Sequence, residues 1–199
     1  MPGKWIFAWR LATLFLLLSG RAWAGSETET ESKYPWSLVA YNAVYTPDRL
    51  KDIFAHRHSY HESYLAALAV NREIARTWTA LGWELEGQVV KHHGDQDHFE
   101  FNALFTARWH RFPWNRRVAT TLAIGEGVSW AERNPELETE EHKNVSQWLN
   151  YLLFEVTLAP PQSRWYWSGR IHHRSGVFGL YNGVHGGSNF IGMGAGYRF

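Results

Sequence analysis

The segment Arg164-Trp165-Tyr166-Trp167-Ser168-Gly169-Arg170-Ile171-His172-His173-Arg174-Ser175-Gly176 holds the side chains of this chain best suited to hydrolytic chemistry. Counted by twos from Trp165, one face of an extended segment carries Trp167, Gly169, Ile171, His173 and Ser175. The other face carries Arg170, His172 and Arg174. Residues i and i+2 of a strand lie about 6.5–7 Å apart at Cα. An imidazole leaning along the strand can therefore approach a serine hydroxyl. Such a pair is enough for a base-activated nucleophile. His-x-Ser alone is a common pattern; the shared face and the position at a strand end give it weight.

The elements that must position the pair read as strands. Period two dominates the chain. Over 97–110, Phe99, Phe101, Ala103, Phe105, Ala107 and Trp109 fall on one face, and Glu100, Asn102, Thr106, Arg108 and His110 on the other, with Leu104 the exception. Over 78–91, Leu81, Trp83, Leu85 and Val89 oppose Gly82, Glu84, Glu86 and Gln88. Over 189–199, Ile191, Met193, Ala195, Tyr197 and Phe199 oppose three glycines and Arg198. Further strands fit 36–45, 62–72, 117–130, 145–158 and 163–175, of which 62–72, 117–130 and 145–158 alternate less cleanly or run less regularly. One short helix is predicted from Thr46 as N-cap and Pro47 as first residue.

Several of these strands match the roughly 9–11 residues that cross a bilayer as a tilted strand. Connections at 73–77, 111–116 and 159–162 are short, and those at 46–61, 131–144 and 176–188 are long, with 92–96 a short exception. That alternation is the pattern of an outer-membrane barrel. The face opposite the apolar one holds both signs of charge: Glu84, Glu86, Glu100 and Glu155 with Arg108, Arg164, Arg170 and Arg198. A closed barrel fills its interior with such a network and turns its apolar face to lipid. The expected fold is thus all-β, an eight-stranded antiparallel transmembrane β-barrel of the bacterial outer membrane. The opposing possibility is a secreted sandwich or lipocalin-like barrel with the faces reversed. The chain's 12 Trp, 9 Tyr and 11 Phe favour the membrane, where aromatic belts form at the interfaces. A polar pair such as His173 and Ser175 on the lipid face is then costly unless it sits near an interface or has a task.

The N-terminus reads as an export signal. Lys4 opens a basic region, an apolar run covers 11–18, and Ala22-Trp23-Ala24 fits a cleavage site. The expected organisation is a signal peptide at 1–24, a flexible polar segment at 25–34 and the barrel at 35–199. Loss of Lys4, Arg10 and Arg21 takes the basic residues from 20 to 17 against 19 acidic, a net charge of −2. No nucleic-acid partner is expected from that balance. The absence of cysteine excludes disulfides and thiolate chemistry.

The residues His173-Arg174-Ser175 on the penultimate strand, the loop ending Gly186-Gly187-Ser188-Asn189 and the terminal Tyr197-Arg198-Phe199 together resemble the lipid A 3-O-deacylase (PagL-like) family, acyloxyacyl-hydrolase-like outer-membrane proteins. The resemblance is specific over about the last 35 residues. It implies a serine esterase that removes an ester-linked acyl chain from lipid A, with His173 as base and Ser175 as nucleophile. Trp165, Trp167, Ile171 and Gly176 are the expected substrate contacts, and backbone N–H groups near Gly176 or the Asn189 amide the expected oxyanion donors. The family carries a glutamate toward its final strand, whereas no Asp or Glu follows Ser175 here. Asn189, which shares outward parity with Phe199, is the candidate for that third position. Asn can orient a histidine but lends no negative charge. Glu126, alternating with Ile124 and Val128, is a remote second candidate. The expected partners are lipid A or lipopolysaccharide, outer-membrane lipids and, from the terminal aromatic, the barrel-assembly machinery. No cofactor and no metal are assigned. The alternative function is a non-enzymatic barrel with a structural or adhesive role.

His56, His58 and His61 cluster in the first external loop, and His92, His93 and His98 flank the second external loop. They are read as wet interfacial histidines in preference to metal ligands. The acidic stretch 134–143 is read as a solvated loop that could meet lipopolysaccharide phosphates through divalent cations.

Overall fold

The computed structural model describes residues 32–55, 59–141 and 144–199. The expected signal peptide, most of the polar segment after it, and His56 and His58 lie outside the described residues. Among the described residues, eight antiparallel strands follow one another around a closed barrel. They are β1 (Trp36–Thr46), β2 (Ser63–Thr77), β3 (Leu81–Gly94), β4 (Phe99–Trp109), β5 (Ala119–Ala131), β6 (Trp148–Ala159), β7 (Trp165–Ser175) and β8 (Gly187–Arg198). Two short helices, α1 (Leu50–Phe54) and α2 (Glu136–Glu141), lie in the 47–62 and 132–147 connections. The barrel closes where β1 pairs with β8, from Ser37 opposite Arg198 to Thr46 opposite Asn189. Trp36 and Phe199 complete that seam through reciprocal main-chain bonds of 3.1 and 2.9 Å. Connections 78–80, 110–118 and 160–164 share one end of the barrel with both ends of the described barrel segment; this is the turn end. The connections 47–62, 95–98, 132–147 and 176–186 make the loop end.

The side-chain polarity is that of a membrane barrel. Leu68, Val89, Phe101, Leu122, Trp148, Val156 and Met193 are exposed on the outside. Charges fill the inside. Arg108 meets Glu84 at 2.7 Å and Glu155 at 2.6 Å, and Arg170 meets Glu86 and Glu155, each at 2.8 Å. Tyr41, Gln88, Asn102 and Tyr151 extend the network upward. Water cannot satisfy backbone groups in hydrocarbon, and a closed sheet leaves none unpaired at an edge. No helix among the described residues is long and apolar enough to cross a membrane; the strands are the spanning elements of this fold.

Local chemistry explains the deviations from period two. Leu104 points inward and packs with Tyr151 and Leu153. A Cβ at Gly196 would lie 2.2 Å from the Tyr166 ring, so the bare backbone of β8 is what admits that ring. Several expectations are corrected. The strand read as 62–72 continues to Thr77 through a bulge between Glu73 and Ala75, which breaks the alternation there. The turn falls at 78–80, with Trp78 and Thr79 at φ 52° and 54°. Thr46 does not cap a helix: it ends β1, and its hydroxyl donates to Asp48 Oδ2 at 3.1 Å, while α1 starts after Arg49. Arg164 lies at the rim instead of in the lumen, its guanidinium over the Tyr34 and Tyr197 rings. The acidic stretch is partly helical, and Leu137 and Glu138 of α2 are buried.

Candidate functional site

β7 and β8 form a hairpin whose register sets His173 directly opposite Asn189. His173 Nδ1 lies 2.6 Å from Asn189 Oδ1. Asn189 Nδ2 donates to the main-chain carbonyl of Asp48 at 2.9 Å. Asp48 is itself fixed, since its carboxylate accepts from the Ser59 N–H at 2.6 Å and from Thr46. The first long loop therefore reaches over the outer face of the hairpin. α1 follows it, and Phe54 packs edge-on against Phe154 of β6, with ring centroids 5.1 Å apart. Phe154 is the cross-strand partner of Ile171, which also faces Ile191. Apolar surface thus continues from the polar pair down the outside of the barrel.

Ser175 ends β7 on the same face, opposite Asn150 on β6 and Gly187 on β8. Its hydroxyl makes no hydrogen bond among the described residues, and neither does the Asn150 side chain. The structure thus brings His173, Asn189, Ser175 and Asn150 to one patch at the loop end, without a His173–Ser175 hydrogen bond. Glu126 faces outward on β5, opposite Leu152, which is in turn opposite His173. Two strand spacings, about 10 Å, separate it from the histidine.

Other expected site residues lie elsewhere or are engaged. Trp165 and Trp167 stand at the turn end of β7. At about 3.3 Å per residue they are roughly 33 and 26 Å along the strand from Ser175, so they belong to the aromatic girdle and not to the pair's surroundings. The Gly176 N–H donates to Gly186 O at 2.9 Å. A Cβ there would meet Val184 O at 2.1 Å, so glycine is needed for the loop to fold back on the strand end. With the Asn189 amide committed to Asp48, both expected oxyanion donors already have partners. Asp48 and Phe54 had no sequence signal: one contributes a main-chain carbonyl, the other a single aromatic in a polar loop. Asn150 was visible only in part, because β6 carries apolar residues on both faces.

His172 points inward. Its Nδ1 lies 3.1 Å from both the Tyr41 and Tyr151 hydroxyls, and its Nε2 lies 2.9 Å from Glu100 Oε1. His92 and His98 are not wet interfacial residues, since both are buried within the barrel. Only His93 of that group is exposed, stacked on Tyr64.

No family model matches the chain, and no curated protein sequence does. Solved structures do share its architecture. The crystal structure of the outer membrane enzyme PagL superposes with a TM-score of 0.54 at 12% identity, covering 81% of this chain and 99% of that one. Neisserial surface protein A superposes with a TM-score of 0.51 at 12% identity, covering 85% of this chain and 100% of that one. The fold is that of the eight-stranded barrels of the bacterial outer membrane, a class with enzymatic and other members.

Proposed function

We propose that this chain is an outer-membrane esterase that removes an ester-linked acyl chain from lipid A at the loop end of its barrel. The observation that carries the reading is the His173–Asn189 contact of 2.6 Å on the lipid-facing side, with Ser175 two residues further along the same face. In this reading the loop end faces the cell exterior. Lipid A keeps its sugars at headgroup level and its acyl chains in the bilayer, so an outward site near that interface reaches the ester without extracting the lipid. His173 takes the proton of Ser175, and Ser175 attacks the carbonyl. Collapse of the tetrahedral intermediate expels the sugar alcohol, which receives the proton from His173. Water, activated by the same imidazole, then releases the fatty acid from the acyl-enzyme. Asn189 orients the base, and Asn150, across from Ser175, is placed to donate to the oxyanion. Ile171, Phe154 and Phe54 line the path of the acyl chain. The reading requires no cofactor.

Mass spectrometry of lipid A from cells with and without this chain tests the proposal. Loss of one acyl group that disappears with Ser175→Ala supports it. An unchanged lipid A with the folded barrel present in the outer membrane overturns it in favour of a non-enzymatic barrel. The unengaged Ser175 hydroxyl is the observation that favours this second reading.

A further inference from the structure

The loop end of the lumen contains a second cluster that the esterase chemistry does not use. His92 lies two residues before the end of β3, His98 lies in the 95–98 connection and Glu100 follows on β4. The tight hairpin folds the His92-x5-His98-x-Glu100 spacing into one point, and one ligand atom from each lies within 4.8 Å of the others. The three residues are 1%, 0% and 0% exposed. The His98 ring stacks on His92 with centroids 4.4 Å apart, yet neither of its nitrogens has a hydrogen-bond partner among the described residues. A buried polar group without a partner is costly, and here two belong to one ring. Buried charges, likewise, are normally paired or coordinate metals.

We propose that His92, His98 and Glu100 bind one divalent transition-metal ion, zinc by the chemistry of the set, inside the loop end of the barrel. Two imidazoles and a carboxylate are a zinc ligand set, with the fourth position left for water or a further carboxylate. A further carboxylate, Glu136 of α2, has its Oε2 3.9 Å from His98 Nδ1. His92 Nε2 and Glu100 Oε2 are 3.0 Å apart, close to the roughly 3.3 Å that bonds of about 2.0–2.1 Å impose between tetrahedral ligands. Gln96 supplies the outer support. Its amide lies 2.9 Å from His92 Nδ1 while its Oε1 is buried without a partner. Turning that amide over lets Oε1 accept the Nδ1 proton, which leaves the Nε2 lone pair for the metal.

The surroundings are carboxylate-rich: Arg174 lies 3.7 Å from Glu100 and 3.3 Å from Glu138, and Glu136 stands beside His98. In the other carboxylate–histidine group, Glu73, Glu84 and His110 at the turn end, Arg76 and Arg108 already pair directly with the two carboxylates. Bound at the loop end, the ion would tie the 95–98 connection to β3 and β4. The inference is independent of the esterase reading.

The test uses the full chain purified in detergent, stripped with chelator and titrated with Zn2+ and Co2+. One equivalent should bind, with visible Co2+ bands of low-coordinate geometry. His98→Gln and Glu100→Gln should weaken binding by more than 100-fold, and Gln96→Ala by about 10–100-fold. His93→Ala should leave it unchanged. Heat-modifiable gel mobility checks that each variant is folded. X-ray absorption of the zinc-loaded wild-type chain gives a measure independent of variants, and two imidazole ligands with oxygen donors should appear. Absence of stoichiometric binding, equal binding by folded His98→Gln, or a zinc shell without two imidazoles would each overturn the assignment.

Discussion

The side-chain amide of Asn189 donates to the carbonyl oxygen of Asp48 at 2.9 Å. A carbonyl only accepts, so the amide nitrogen must face Asp48 and Oδ1 must face His173. His173 Nδ1, 2.6 Å from that oxygen, therefore carries the proton. Nε2 is left as the basic nitrogen. The backbone of the first long loop thus selects the tautomer of a side chain on β7.

This relationship sets the expected order of variant activities in a lipid A deacylation assay at equal folded amounts. Ser175→Ala and His173→Ala should abolish turnover. Asn189→Ala removes the neutral hydrogen bond to His173, worth about 1 kcal/mol, and should slow it by about fivefold. Asn189→Asp should not rescue the rate, because its second oxygen would face the Asp48 carbonyl. Glu126→Gln, two strands away, should be silent. Loss of activity in Glu126→Gln with none in Asn189→Ala would reverse the assignment.

Adjacent histidines should separate chemistry from stability. His172 is buried among Tyr41, Tyr151 and Glu100, whereas His173 lies on the outer face. His172→Ala takes one buried partner from each of those groups and should destabilise the barrel by about 1–3 kcal/mol. His173→Ala should leave the urea unfolding midpoint in detergent near wild type. Equal midpoints for the two variants would contradict the inward and outward placement.

Much of the fold was legible because a strand has only two faces. Parity groups Glu84, Glu86, Glu100, Arg108, Glu155 and Arg170 on one face and His173 with Asn189 on the other, and the mixed signs of the first face mark it as the interior. What failed was whatever parity does not encode. The bulge after Glu73 shifts the register by one residue, so β2 was ended early. Trp165 and Trp167 share a face with Ser175 but not a height, because alternation says nothing about distance along a strand. His92 and His98 flank a loop and were read as wet, but the short 95–98 connection turns them into the lumen. Main-chain partners such as the Asp48 carbonyl leave no mark on residue type.

Acid should weaken the turn end through His110. Burial, reinforced by Arg76, Arg108 and Arg198, pushes this histidine down to about 3, although Glu73 Oε2 lies 3.9 Å away. In the unfolded chain it titrates near 6.5. Below that value the unfolded state binds the proton and the folded state does not, so stability falls as pH drops from about 6.5 toward 3. By pH 5 the loss from this one group should be up to about 2 kcal/mol. Unfolding midpoints of wild type and His110→Gln should run parallel above pH 7 and converge or cross as pH falls. A constant difference across that range would exclude His110 as the sensor.

The lumen network should respond to imbalance more than to loss of contacts. Arg170 is buried between Glu86 and Glu155, and Glu155 is shared with Arg108 and with Ser168 at 2.5 Å. Arg170→Met removes one cation and leaves Glu84, Glu86 and Glu155 facing Arg108 alone. Breaking a buried pair from one side costs about 3–5 kcal/mol, because the remaining charge is stranded. Adding Glu86→Gln deletes the charge that Arg170 had balanced, so the double variant should recover part of that loss. These residues touch one another, so their effects should not add. Urea titration of the four members of this cycle in one detergent measures the coupling. A double variant as unstable as the sum of the two single ones would mean that the arginine acts by packing its stem and not by balancing Glu86.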